Sequence, residues 1–277
     1  MMRLALITCL LFTVSLTEAQ PMKVMSYNIR YDNPGDNPNH WEGRKEKLFT
    51  LINTHHPDLI GVQEALHHQL EDMVEALPNF AFVGVGRDDG KTRGEYSALL
   101  YDKEKYEVLR TETFWLSENP EVIASKSWDA AITRIVSWAE MKDIKTGKTF
   151  FWFNTHFDHI GKQARLESAK LIRQKIDVIA GKSPVIVTGD FNCEPSDDPY
   201  RAMLAKGKVK LFDTSTGFAQ ACTCCGFALK PYEENCVRID YIFSSKHFKV
   251  IDFITPDDND GTYYPSDHLP VMATLKL

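Results

Sequence analysis

No stretch of this 277-residue chain is apolar for long enough to cross a bilayer as a mature helix. Its one pronounced apolar run, residues 4–16, is too short. That run follows Met1-Met2-Arg3 and leads into Thr17-Glu18-Ala19 before Gln20, the pattern of a cleaved secretory leader. Residues 1–19 are read as a signal peptide, residues 20–277 as one mature catalytic domain, and the mature protein as exported, periplasmic or extracellular. An uncleaved anchor is the competing reading, and the shortness of the run speaks against it. Cys9, inside the run after Thr8, makes a lipoprotein signal unattractive.

Long basic runs are missing as well. The formal net charge is −6, so the chain advertises no tight electrostatic clamp on long nucleic acid, although a local basic rim stays open. A glycine-rich phosphate loop is absent: Gly84-Val85-Gly86 lacks a third glycine and follows no strand–helix–strand pattern. No tandem repeat, low-complexity linker or charge block divides the mature sequence. Cysteine is sparse. Beyond Cys9 there are Cys193, Cys222, Cys224, Cys225 and Cys236, an odd number. In an oxidising compartment the cluster over 222–236 can hold one or two disulfides and leaves at least one thiol over. A zinc site there lacks a second paired Cys-x-x-Cys unit, so these cysteines read as structural.

What is present is strand-like. Segments 22–28, 59–62, 80–85, 96–101, 134–141, 150–155, 185–187, 237–243, 248–254 and 270–275 are rich in β-branched and aromatic residues or alternate with period two. Helices are fewer. Residues 163–180 carry Leu166, Ala169, Ile172, Ile176 and Ile179 at helical spacing, with Gly181 as a stop. Segments 43–55 and 67–77 read similarly, with Leu48 and Ile52, and Leu70, Met73 and Leu77, as buried stripes. Two similar halves of strands with helices outside predict sheet packed on sheet under helical covers, an α/β sandwich. The hairpin content argues against a doubly wound parallel sheet.

Polar side chains at the tips of these apolar strands carry the chemistry. They are Asn28, Gln63-Glu64, Gly189-Asp190-Phe191-Asn192 and Ser266-Asp267-His268. Carboxylates and amides are costly to hold at buried strand ends unless an ion or hydrogen bonds satisfy them. Singly each has a plain structural explanation: Asp190 and Asn192 suit a turn, Glu64 a helix start, His268 a strand start. Together they form a complementary set. Hard oxygen ligands suit Mg²⁺, with Mn²⁺ a substitute, and Glu64 is the first choice with Asn28 and Asp267 beside it. Asp190 can orient or deprotonate an attacking water, Asn192 can offer its amide to a phosphoryl oxygen, and Asp240 can orient His268 for acid–base work. His156, after the run 150–153, is read as a donor to phosphate, with His159 tuning or packing beneath it. His156-x-Asp158-His159 as a transition-metal site is the sharper alternative, on weak local spacing.

The ordered set Asn28, Gln63-Glu64, Thr155-His156, Gly189-Asp190-Phe191-Asn192, Arg238-Ile239-Asp240-Tyr241 and Ser266-Asp267-His268 resembles the endonuclease/exonuclease/phosphatase superfamily. That group includes deoxyribonuclease I, apurinic endonucleases, neutral sphingomyelinases, inositol polyphosphate 5-phosphatases and poly(A) deadenylases. The resemblance implies a four-layered α/β sandwich, two mainly antiparallel sheets flanked by helices, and Mg²⁺-dependent phosphoester cleavage. It also implies Glu64 on the metal with Asn28 and Asp267 assisting, Asp190 on the nucleophilic water, Asn192 on phosphate, and His268 paired with Asp240.

The chain departs from some members. Arg30 stands where apurinic endonucleases carry an acid, and His156 where they carry a tyrosine, which brings the chain closer to the deoxyribonuclease, sphingomyelinase and deadenylase branches. Arg30 and Arg134 are instead candidate substrate-phosphate ligands, against the reading of ordinary paired arginines. Trp41, Trp115 and Trp128 are candidate cleft aromatics, against the commoner fate of core packing. The turn-rich segment 33–40 is a candidate flap. The expected function is a phosphodiesterase or nuclease acting on nucleic acid or a nucleotide-like ester, without stable membrane insertion. The alternatives are a phosphatase or phospholipase C-like enzyme on a small or lipid phosphoester, and a binding protein that keeps the scaffold without catalysis.

Overall fold

The computed structural model describes residues 20–229 and 237–277; the expected leader and Cys236 lie outside them. In chain order the elements are β1 (Met22–Asn28), α1 (Trp41–His55), β2 (Leu59–Ala65), α2 (His67–Ala76), β3 (Phe80–Val83), β4 (Tyr96–Asp102), β5 (Tyr106–Trp115), β6 (Ile135–Asp143), β7 (Thr149–His156), α3 (Lys162–Ile179), β8 (Val185–Asp190), α4 (Asp198–Met203), β9 (Leu211–Asp213), β10 (Asp240–Ser245), β11 (Lys249–Ile254) and β12 (Val271–Lys276). They form two six-stranded sheets, ordered β11-β12-β1-β2-β4-β3 and β5-β6-β7-β8-β10-β9. Each sheet is antiparallel apart from one parallel pair, β1 with β2 in the first and β7 with β8 in the second. No described helix is long and apolar enough to cross a membrane.

Period-two alternation builds the layers. On β1, Met22 and Val24 enter the core between the sheets, while Met25 and Tyr27 face the core under α1 and α2. On β8, Ile186 points between the sheets and Val185 and Val187 toward α3 and α4. Strands buried on both faces read as continuous apolar runs, which is why these were visible in the sequence. Three apolar interfaces separate four layers, as the resemblance implied. Strands β5 and β9 and helix α4 were not expected. On β5, an edge strand, Glu107 and residues 109–112 are exposed, so solvated charge masks its pattern.

The parallel pairs place the C-terminal ends of β1 and β2 beside those of β7 and β8. Strand β10 pairs antiparallel with β8, setting Asp240 directly across from Asp190. The same edge of the sandwich receives the segment that enters β12.

Candidate active site

Three residues of this edge have left-handed backbone: Arg30 (φ 57°), Glu64 (φ 64°) and Asn192 (φ 46°). Glu64 sits at an irregularity in β2, where the register with β4 shifts between Gln63 and Ala65. Such conformations cost non-glycine residues about 1–3 kcal/mol each and persist where surrounding structure enforces them. Here they aim side chains at a common point. The Asn28 amide donates to Glu64 Oε1 at 3.1 Å and to Asp190 Oδ2 at 2.9 Å. The backbone N–H of Tyr31 holds Glu64 Oε2 at 3.2 Å.

Asp190 is the hub. Its Oδ2 lies 3.3 Å from His156 Nε2 and 3.9 Å from His268 Nε2, and its Oδ1 accepts the Asn192 backbone N–H at 3.0 Å. Burial, then the Asp240 carboxylate across the strands, raise the Asp190 pKa well above the usual carboxylate range. His268 Nδ1 lies 2.9 Å from Asp240 Oδ2. Burial opposes protonation of this imidazole, but the Asp240 charge and hydrogen bond outweigh it and raise its pKa well above the ordinary value. His156 goes the other way: burial and then the charges of Arg134 and Arg87 push its pKa down. One histidine is thus poised as a cation and the other as a neutral ring. The Asn192 amide bridges His156 Nε2 and the Phe157 carbonyl, each at 3.0 Å.

Asp267 completes the group. Arg30 Nη1 lies 3.9 Å from Glu64 Oε2 and 3.8 Å from Asp267 Oδ2, so the two carboxylates flank one cationic position. Hard oxygen donors at Glu64, Asp267 and Asn28 suit a divalent ion. Asp190, Asp240 and His268 also come close enough to share one. That trio suits a hard dication less well, because one of its three donors is an imidazole nitrogen where Mg²⁺ prefers oxygen, and His268 Nδ1 is already bonded to Asp240. All eight residues singled out for catalysis or ion binding therefore meet at one edge.

The readings of His159 and Asp158 need correction, and the other candidates are placed as follows. His159 is exposed rather than packed beneath His156, and its Nδ1 meets Arg134 Nη2 at 3.1 Å. Asp158 is no metal ligand: its oxygens accept the backbone N–H groups of Ala131, Ile132, Ile160 and Gly161. Trp41 is buried in the core and donates to Asp72; Trp115 is buried and donates to the Arg87 carbonyl; Trp128 is half-buried with left-handed backbone. The segment 33–40 is tethered: Asp36 grips Arg30 through Nε and Nη2 at 2.7 and 3.1 Å, and Arg44 Nε donates to the Asn39 carbonyl. Arg134 is buried, with Nε and Nη1 lacking a hydrogen-bond partner.

Sequence reasoning passed over the positioning groups. Thr223 Oγ1 accepts the N–H groups of Ile239 and Asp240, while its carbonyl receives Leu269 N–H. Cys225 and Gly226 N–H groups both donate to the Asp267 carbonyl. The cysteine segment thus braces two parts of the site. Cys222 is disulfide-bonded, and Cys193, Cys224 and Cys225 are free thiols.

Residues 25–268 match the endonuclease/exonuclease/phosphatase family. Among solved structures, an endonuclease/exonuclease/phosphatase from Bacteroides vulgatus is 41% identical with a TM-score of 0.85, over 93% of this chain and 99% of that one. A mannosyl-6-phosphatase from Bacteroides thetaiotaomicron is 38% identical with a TM-score of 0.86, over 92% of this chain and 100% of that one. Human nocturnin is 23% identical over 93% of this chain and 65% of its own length. The chain spans only 42–60% of the length of three curated relatives, an uncharacterized mimivirus protein and the Drosophila melanogaster proteins angel and nocturnin. Matched over residues 25–268, the chain belongs to the endonuclease/exonuclease/phosphatase family.

Proposed function

We propose that this protein is an exported, Mg²⁺-dependent phosphoester hydrolase, with Mn²⁺ able to substitute, whose preferred substrate is a phosphorylated sugar. The carrying observation is the convergence of Asn28, His156 and His268 on Asp190 Oδ2. A carboxylate with a raised pKa is a stronger base than an ordinary one, and Asp190 takes the proton from the attacking water. As the water oxygen bonds to phosphorus, the P–O bond to the sugar breaks and the departing sugar oxygen takes up a proton from solvent. The His268 cation, oriented by Asp240, stabilises negative charge growing on the phosphoryl oxygens. The Asn192 amide holds His156 in place from the opposite side, and releasing the Phe157 carbonyl would free one of its N–H groups for the phosphate. Arg30 and Arg134 add cationic donors for the substrate phosphate. Glu64 and Asp267, with Asn28, would hold the ion, which when bound polarises a phosphoryl oxygen and screens charge during transfer.

Similarity supports the sugar ester. The mannosyl-6-phosphatase match covers both chains almost completely, whereas a Saccharomyces cerevisiae probable RNA exonuclease is 27% identical over 44% of its length. This moves a small phosphomonoester ahead of the nucleic-acid diester favoured by the sequence. The nuclease reading stands second on that relative, and the non-catalytic reading third.

A panel of mannose 6-phosphate, a model phosphodiester, RNA, DNA and sphingomyelin discriminates among them. Turnover should be greatest on the sugar phosphate, vanish with chelator, and fall about 10²–10⁴-fold in Asp190→Ala and His268→Ala. Full activity in those variants would remove the mechanism. Faster cleavage of RNA or DNA would install the second reading, and no turnover on any substrate the third.

A further inference from the structure

A cavity of about 750 Å³ opens at the far end of the second sheet. Val185 N–H bonds to Ser245 Oγ there, and β9 joins β10 at Ser245, so that end lies one strand length, roughly 17 Å, from Asp190 and Asp240. Lys182, Lys206, Lys208, Lys210, Lys246 and His247 line it, and no aspartate or glutamate does. Some lysines elsewhere are paired with carboxylates, as with Lys45, Lys142, Lys170 and Lys175. Among the described residues none of these five lysines is paired with a carboxylate: Lys208 Nζ donates to the Asp177 carbonyl, and Lys210 Nζ lies 4.8 Å above the Phe212 ring. The Asp177 carboxylate behind the wall is engaged by the Lys208 backbone N–H. Arg173, buried under the same loop, donates to the Val209 carbonyl, and the nearby Asp177 carboxylate offsets its charge.

Five unpaired ammonium groups around one concavity repel one another, in a chain whose net charge is −6. An anion relieves that repulsion. We propose that this cavity is a second ligand site, separate from the hydrolytic centre, that takes a compact anion carrying several phosphate groups. Its volume is that of a small-molecule site rather than a flat docking face. Phe212 is 42% exposed, but its ring already carries the Lys210 ammonium. That leaves no platform for stacking successive bases, so an extended single strand is disfavoured.

Calorimetric titration of inorganic tripolyphosphate into the full chain, without divalent ions at 0.15 M salt, tests this. One binding event is expected, weakened by at least about tenfold in the triple variant Lys206→Glu, Lys208→Glu, Lys210→Glu and fading as salt rises. The double variant Lys182→Ala, Lys246→Ala alters the other wall and carries the test alone if the triple variant does not fold. Turnover of a small phosphoester should match wild type in both. No tripolyphosphate binding to the wild type, or unchanged binding in the double variant, overturns the proposal. So does lysine-dependent binding of an RNA 20-mer or of phosphatidic acid vesicles that tripolyphosphate fails to displace.

Discussion

Arg30 is the residue whose chemistry the neighbouring positions most constrain. Two bonds to Asp36 hold its guanidinium, and burial costs less than that pairing gains, so it stays charged. Its free edge points between Glu64 and Asp267, where a dication would bind. Like charges a few ångströms apart near a protein surface repel by several kcal/mol before screening. Arg30→Gln is therefore expected to bind Mn²⁺ at least about tenfold more tightly in a metal titration, while KM for a phosphoester rises because a phosphate ligand is lost. Unchanged ion affinity would show that Arg30 and the ion do not share that space. Asn28, Glu64 and Asp267 were legible because polar residues are conspicuous at the ends of apolar strands. Asp36 and Thr223 were not, since each works by holding another residue in place, and a turn-rich or cysteine-rich stretch looks the same whether or not it braces a site.

At the scale of elements, the connection leaving β7 depends on Asp158. Burial alone would raise the pKa of this carboxyl, but four backbone N–H groups more than offset that and hold it at about 2. Asp158→Ala leaves those donors unmatched and should cost about 2–3 kcal/mol at pH 7 by chemical denaturation. The folded pKa lies below the unfolded value of about 3.9, so the stabilisation is complete only above about pH 5 and is lost as pH falls through about 2. The gap between wild type and variant should therefore shrink across that window; a constant gap would mean the carboxylate charge contributes little. His156-x-Asp158-His159 resembled a metal motif because short spacing is visible in sequence, whereas the direction each side chain takes after a strand end is not. Strand β5 escaped for a related reason: an edge strand facing water needs no apolar pattern.

For the whole molecule, the distance between the sheets sets whether the two halves of the site meet. Gly61 lies at that interface, where an added Cβ would fall 2.2 Å from Thr188 Oγ1 and 2.7 Å from Asn154 Oδ1. Asn154 in turn accepts from Gln63 Nε2 at 2.7 Å and donates to the carbonyls of Val62 and Ala98. This polar network ties β2 to β7 and β8 just below Glu64 and Asp190. Gly61→Ala should cost about 1–3 kcal/mol in unfolding free energy and lower kcat more than it raises KM, because it separates the halves. An unaltered melting temperature would show that the sheets move apart freely. Gln63, read with Glu64 as one motif, belongs to this network and not to the ion site.

By itself the sequence determined the strand-rich layered architecture and the chemical inventory, because apolar periodicity and polar strand tips are local properties. It also supplied the ordered motifs by which the family could be identified. Only the tertiary structure decided that Asp190 faces both histidines, that Asp240 charges one of them while burial keeps the other neutral, and that Arg30 stands between Glu64 and Asp267. Electrostatic environment depends on distance through space, and residues 28, 64, 156, 190, 240 and 267 become neighbours only when two sheets stack.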